Sequence, residues 1–156
     1  LKRAKYAKLK IKIFKPKVDT RYDDKKVVSH DDNFINSIVV DCSSSIISLS
    51  EDADVVAIDE AQFFDENLYS VCNTLAISGI RVIVAGLDMD FLGHPFGPIP
   101  NLLSVAEHIT KVHAICIDCG AIANHSFRKS RDEELVKLGE HNEYKPLCRG
   151  CFNNQR

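Results

Sequence analysis

The hydrophobic positions change period several times along the chain, and each change marks an element. LKRAKYAK, rich in Lys, Arg and Ala, reads as the last turns of a helix. Leu9, Ile11 and Ile13 then alternate with Lys8, Lys10 and Lys12 in the two-residue period of a half-buried strand, closed by Phe14 and a break at Pro16. Residues 17–30 are polar and charged and read as a loop. Residues 33–50, with Ile35, Ile38, Val39, Ile46, Ile47 and Leu49, fit short helices or strand. The centre is clearer. Val55, Val56, Ala57 and Ile58 form a continuous apolar run meeting Asp59 and Glu60, the pattern of a strand buried on both faces in a parallel sheet. Leu68, Val71, Cys72 and Leu75 recur at helical spacing, with Asp65 placed to cap the start and Gly79 to end the helix. Val82, Ile83, Val84, Ala85 and Leu87 predict a second apolar strand ending at Asp88, which completes a βαβ unit. DFLGHPFGPIPN is too interrupted for a helix before about Ile99. It reads as an ordinary connection or as an ordered loop whose Phe91 and Phe96 hold something flat. Leu102, Leu103, Val105 and Ala106 suggest a short helix, and Ile109 to Ile115 a last strand.

Composition narrows the class. The 156 residues are 45% hydrophobic and 27% charged, ordinary values for a globular chain long enough for one main core and a small satellite. No window has the roughly 18 consecutive apolar residues of a membrane span, and no stretch reads as a signal peptide. The expectation is therefore a soluble intracellular protein in a reducing compartment. A net charge of -2 lacks the electrostatic footprint of a general nucleic-acid binder. Eleven of the 20 basic residues nevertheless fall between Lys2 and Lys26, as a solvated face or as a basic wall near a phosphate site.

Two features carry candidate chemistry. Ligands of open parallel sheets bind at the carboxyl ends of the strands, and those ends carry Asp59, Glu60 and Asp88. Any one of these acids also suits a plain loop or helix cap. The stronger motif is the pair Cys116-x-x-Cys119 and Cys148-x-x-Cys151, whose four thiolates suit tetrahedral zinc with no coordination position left open, a folding role rather than a catalytic one. Cys42 and Cys72 lack such company and read as buried small hydrophobes. The excursion between the two Cys pairs has too few apolar residues for its own core. It is a functional loop clipped by metal, or a disordered one.

KRAKYAK, FKPKVDTRYDDKKVVSH, VVAIDEAQFF, VIVAGLDMDF, PFGPIPNLL, the Cys pairs and the spacing from Gly139 through Tyr144 to Cys148 together resemble the thymidine kinases of the human cytosolic and bacterial type, over essentially the whole chain. The resemblance implies an α/β fold. A P-loop-type parallel sheet flanked by helices would occupy residues 1–112, and a small zinc-binding lasso domain residues 113–156. It also implies transfer of a phosphoryl group from ATP to the 5′-hydroxyl of thymidine or deoxyuridine, in pyrimidine salvage, by a cytoplasmic homotetramer that uses Mg²⁺ and needs neither nucleic acid nor membrane. Asp59 would help hold the Mg²⁺ shell, Glu60 would take the hydroxyl proton and Arg21 would offset developing phosphate charge, with Asp19 an acidic position nearby. Phe63, Leu87, Phe91 and Phe96 would wall the base, and Tyr144 would close over the nucleoside. Backbone groups around Leu135, Lys137 and Gly139 would read the pyrimidine edge, with Ser126 and Arg128 near the methyl end and the lasso base. Lys137 stands where the family usually has an apolar residue. The family's G-x-x-x-x-G-K-[ST] loop is not among these residues, and the resemblance puts it, with a preceding strand, just before the helix that LKRAKYAK finishes. Two rival readings remain: a zinc-knuckle module that binds single-stranded nucleic acid through Phe91, Phe96 and the basic start, and an inactive relative of the kinases. The acids at the sheet edge count against the first, because they would repel a phosphate backbone.

Overall fold

The basic opening run folds as α1 (Lys2–Tyr6) and leads into β1 (Ile11–Pro16) in the computed structural model, which describes residues 1–17, 26–27, 35–129 and 143–155. The chain divides into two units, Leu1–Leu87 with Gly97–Ala106, and Asp88–Phe96 with Glu107–Arg156. The first unit continues with β2 (Lys26–Val27), β3 (Ile35–Asn36), β4 (Ile38–Val40), α2 (Ser45–Leu49), β5 (Val55–Ile58), a 3₁₀ turn (Ala61–Phe63), α3 (Leu68–Ile77), β6 (Arg81–Val84) and α4 (Ile99–Val105). Its main sheet is parallel throughout, in the order β4-β1-β5-β6.

That order explains where the periodicity misleads. The alternation of Ile and Lys suggests a strand with one wet face, but β1 is paired on both sides, so Ile13 and Phe14 are buried in succession. The strand does end at Pro16, as the break there predicts, with Pro16 still paired opposite Val40. Proline removes one donor, and a single further bond follows the strand end, from the Lys17 N–H to the Val40 carbonyl at 3.1 Å. The polar run after it is not all loop, since Lys26 and Val27 pair antiparallel with Asn36 and Ile35. Residues 35–49 contain both of the alternatives, two short strands and then α2.

All four residues of β5 are buried, as expected of a strand with neighbours on both edges and cover on both faces. On one face Val56 and Ile58, with Phe14 and Val40, pack against Ile46 of α2, Leu68, Val71, Cys72 and Leu75 of α3, and Ile99 and Leu102 of α4. Burial pushes the Cys72 thiol up to about 11, in keeping with an inert core residue. Cys42 corrects the sequence reading: it is exposed, with Sγ 3.1 Å from Ser44 Oγ and 3.2 Å from Ser45 Oγ.

The ends of α3 divide the same way. Gly79 stops the helix as predicted, with its N–H on Ala76 and the Ile80 N–H on Leu75, the paired bonds of a Schellman motif. Asp65 does not cap α3; the helix starts after Asn67 without a side-chain cap. The Asp65 carboxylate turns to Ser43 and accepts from its hydroxyl (2.7 Å) and its N–H (2.8 Å), and also from the Asn67 N–H. β6 ends at Val84, short of Asp88; as an edge strand of this sheet it is only half-buried, and Ala85 to Leu87 are exposed.

The second unit holds β7 (Ala114–Ile115), β8 (Ile122–Ala123), β9 (His125–Arg128), β10 (Tyr144–Leu147) and α5 (Arg149–Asn153). The strand expected over residues 109–115 is reduced to its last two residues. It pairs antiparallel with β8 and is not part of the parallel sheet. Cys116, Ala123, Leu147 and Phe152 form this unit's small core, with Phe127 against it. Among the described residues, no helix is long and apolar enough to cross a membrane.

Burial pushes the Asp65 carboxyl upward, but the bonds from Ser43 and Asn67 outweigh it and hold its pKa below the ordinary carboxylate value. The resulting stability is present above the unfolded-state pKa and is lost as pH falls through the lowered folded value. Asp65→Ala should cost about 1 kcal/mol at pH 7, a figure discounted for solvent screening. In urea unfolding the difference from wild type should vanish at a pH below the folded-state value.

Candidate functional site

Past the end of β5 the backbone stays pinned on two sides. The Asp59 N–H reaches the Phe14 carbonyl (3.0 Å), the Ala85 N–H reaches Ile58 (2.8 Å), and the Ala61 N–H returns to Ala85 (3.0 Å). Between these anchors Glu60 takes up a left-handed conformation at φ 53° and ψ 42°, and its carbonyl accepts the Phe63 N–H that closes the 3₁₀ turn. A non-glycine residue there costs on the order of 1 kcal/mol and persists only where its surroundings over-determine it. Here the chain on either side is held by the sheet, and Ala61 and Gln62 are buried.

Each acid at this rim has defined partners. Asp59 Oδ1 accepts the Glu60 N–H at 3.1 Å, and Oδ2 lies 3.7 Å from Lys15 Nζ, whose side chain is 12% exposed. Lys15 and Asp59 follow the paired residues Phe14 and Ile58 on adjacent strands, so the parallel register brings them side by side. The basic start is thus divided among separate partners: Lys12 pairs with Asp52, Lys17 with Asp41, and Lys15 with the rim. Glu60 Oε2 accepts from Gln62 Nε2 at 2.6 Å, and Gln62 Oε1 accepts the Leu87 N–H at 3.0 Å. Phe63 is half-buried beside them, and Leu87 is 49% exposed. Sequence reasoning missed Lys15 and Gln62. The signals were a lysine between Phe14 and Pro16 and a lone amide among the apolar residues of AIDEAQFF.

In the second unit, Asp88 pairs with Lys111 at 2.5 Å, and its carbonyl accepts the Phe96 N–H. The segment after it is an ordered loop. Asp90, 7% exposed, accepts the Leu92 and His94 N–H groups at 2.9 Å each, and Met89 bridges to Pro95. Phe91 does hold something flat: the Arg128 guanidinium carbon lies 3.8 Å from its ring centroid. Arg128 is 4% exposed, and its Nε and Nη2 donate to the Tyr144 hydroxyl at 3.1 and 2.8 Å. Antiparallel register sets Tyr144 opposite Arg128 and Pro146 opposite the half-buried Ser126. Three of the predicted residues, Phe91, Arg128 and Tyr144, therefore form one cluster. His125 on the same strand as Arg128 is 5% exposed and lies against the Phe152 ring at 4.5 Å. Its desolvation, with Arg149 and Lys111 nearby, lowers its pKa and favours the neutral ring. Phe96 is half-buried. Arg21, Leu135, Lys137 and Gly139, like Asp19, lie outside the described residues.

The four sulfurs of Cys116, Cys119, Cys148 and Cys151 all lie within 4.8 Å of one another, and Cys119 Sγ is 3.6 Å from Cys148 Sγ. Tetrahedral zinc with bonds of about 2.3 Å sets its sulfurs about 3.8 Å apart, so the donor set fits a metal such as zinc. The backbone helps: the Cys148 N–H and the turn at residues 118–119 lower the Cys116 thiol to about 6, and Cys148 Sγ accepts the Cys151 N–H at 3.4 Å where it opens α5. Hydrogen bonding with Cys119 and Cys148 drives Cys151 the other way, up to about 12. Four thiols this close cannot all ionise without a cation to share. Cys148→Ser should lower zinc content below one per chain, and should speed proteolysis within residues 107–156 while leaving residues 1–87 as resistant as before.

The family model described as Thymidine kinase matches residues 1–152. The thymidine kinase of Porphyromonas gingivalis is 55% identical over 152 residues, 97% of this chain and 74% of the relative. That of Bacteroides thetaiotaomicron is 53% identical over 156 residues, 100% of this chain and 78% of the relative. That of a Rhodothermus species is 51% identical over 156 residues, 100% of this chain and 73% of the relative. With the match running from α1 through both Cys pairs, the chain belongs to the thymidine kinase family.

Proposed function

We propose that this protein phosphorylates thymidine, and deoxyuridine with it, by moving the γ-phosphoryl group of ATP to the nucleoside 5′-hydroxyl, as a cytoplasmic enzyme of pyrimidine salvage. The observation that carries the reading is the pair of carboxylates at the end of β5, fixed by the sheet yet differently partnered. Asp59 is tied to its own turn and to Lys15, and Glu60 is held on the amide of Gln62.

In-line transfer to an alcohol needs one carboxylate to act electrostatically and another to accept a proton. Asp59 suits the electrostatic role. Its oxygens are hard donors of the kind Mg²⁺ takes, and its side chain is 31% exposed. A Mg²⁺ held by Asp59 would supply positive charge against the phosphates of ATP. Glu60 suits the role of base, accepting the proton as the hydroxyl oxygen bonds to phosphorus, while the bond to the ADP oxygen breaks and ADP leaves. Arg21 would offset charge on the transferring group.

For the nucleoside we assign Phe63, Leu87, Phe91 and Phe96 as apolar walls, and Tyr144 as the group that closes over the sugar and base. Ser126 and Arg128 lie with Tyr144 on the paired strands β9 and β10. Backbone groups around Leu135, Lys137 and Gly139 would read the polar edge of the pyrimidine. A hydrogen-bond code of that sort rejects cytosine by leaving buried polar groups unpaired. Arg128, locked between Phe91 and Tyr144, would serve to keep both aromatic groups in place.

In the whole gene product, Glu60→Gln should keep thymidine affinity within a few-fold, while turnover falls by about 10²–10⁴. Unchanged turnover would remove Glu60 from the role of base. Tyr144→Phe removes the acceptor of two Arg128 donors and should raise the KM for thymidine more than it lowers kcat. Thymidine, and not an oligonucleotide, should raise the thermal midpoint; the opposite result would favour a nucleic-acid-binding module.

A further inference from the structure

The least exposed polar group at the β5 rim is a neutral one. Gln62 is 2% exposed, yet both ends of its amide are used: Nε2 donates to Glu60 Oε2 at 2.6 Å, and Oε1 accepts the Leu87 N–H at 3.0 Å. The Leu87 N–H can only donate, so the amide oxygen must face it, and the NH₂ group is thereby committed to Glu60. Two glycines press on the same residue. A Cβ on Gly86 would fall 2.8 Å from Gln62 Oε1, and one on Gly97, itself at φ +48°, would fall 2.3 Å from the Gln62 carbonyl oxygen. Gln62 therefore has little room to move at its backbone or at its side-chain tip.

We propose that Gln62 is a positioning residue for the general base: its amide, clamped between the Leu87 backbone and the close approaches of Gly86 and Gly97, orients the Glu60 carboxylate through Oε2. The inference rests on the reading of Glu60 as base. A glutamate has three side-chain torsions to lose, and a displacement of about 1 Å in a reacting group can cost about 10²-fold in rate. The left-handed backbone at Glu60 sets where the side chain begins, and Gln62 holds one of the two oxygens at its end. Only a side chain that accepts at one end and donates at the other spans from Leu87 N to Glu60 Oε2. Glutamate accepts at both ends, and methionine offers no donor. Donation to a carboxylate also stabilises its charged form. Of the charged groups near Glu60, Asp59 takes the Glu60 N–H on Oδ1, and Lys15 is paired to Asp59. Both stay in place in the variants below.

The test compares Gln62→Glu and Gln62→Met with Glu60→Gln in the whole gene product, reading kcat and KM for thymidine against pH together with the thermal midpoint. Gln62→Glu keeps the shape and the acceptor for Leu87 but sets a carboxylate against Glu60. Its kcat should fall at least tenfold with KM for thymidine within about threefold, and the acid limb of its kcat profile should move to higher pH, because a like charge raises the pKa of the base. Gln62→Met should move the limb the same way by a smaller amount. If Gln62→Met does not fold, the near-isosteric Gln62→Glu alone decides. A wild-type kcat profile in Gln62→Glu beside an inactive Glu60→Gln overturns the positioning role and leaves the base intact. A fall in the thermal midpoint with an unmoved pH profile also overturns it, by making Gln62 structural only. Full turnover in Glu60→Gln overturns the base reading and this inference with it.

Discussion

The geometry of the acidic rim depends on backbone hydrogen bonds that outlast the strand. β5 ends at Ile58, but the ladder does not: Asp59 still bonds to Phe14, Ala85 to Ile58, and Ala61 to Ala85. A strand buried on every side is rigid because moving it would open voids in a close-packed core, and bonds that continue beyond it carry that rigidity to the residues that emerge. Glu60 can then occupy a conformation an unrestrained glutamate avoids, since the cost is met by a frame already fixed on both sides. Trimming Ile58 to Val or Val56 to Ala, both almost completely buried, would leave a cavity under the footing of both acids.

Around this frame, the polar side chains that matter act by joining elements. Lys15 links β1 to the end of β5, Gln62 links the 3₁₀ turn to the segment after β6, and Asp65 links the start of α3 to the loop before α2. A half-buried ion pair or amide bridge adds little net stability, but leaving one partner alone is costly, so such links select one arrangement over its neighbours. Membership of the thymidine kinase family gives these links a use, because phosphoryl transfer depends more on placement and electrostatics than on covalent chemistry by the protein.

The second unit solves a different problem. Its core is Cys116, Ala123, Leu147 and Phe152, too small a cluster to hold its strands and loops by burial alone. Other devices stand in: four sulfurs gathered for a metal, a buried arginine stacked on Phe91 and bonded to Tyr144, and a loop wound on the carboxylate of Asp90. Each is directional, so each fixes geometry as well as adding stability.

Much of this was legible in the chain alone. The fully apolar run at 55–58, the helical spacing from Leu68 to Leu75, the stop at Gly79 and the paired Cys motifs are local patterns with local physical causes, and they determined the βαβ unit and the sulfur cluster without reference to anything distant. The sequence also carried the family, because ordered motifs such as AIDEAQFF can be read as strings without any knowledge of distant contacts. What it could not show was anything set by strand order or by partners far along the chain. Whether β1 has a wet face depends on β4 and β5 flanking it; whether Asp65 caps a helix depends on Ser43, and whether Cys42 is buried depends on what packs over its turn. Gln62 was invisible for the same reason. Its meaning lies in Leu87, Gly86 and Gly97, residues distant in the chain, which only the closure of the tertiary structure brings to it.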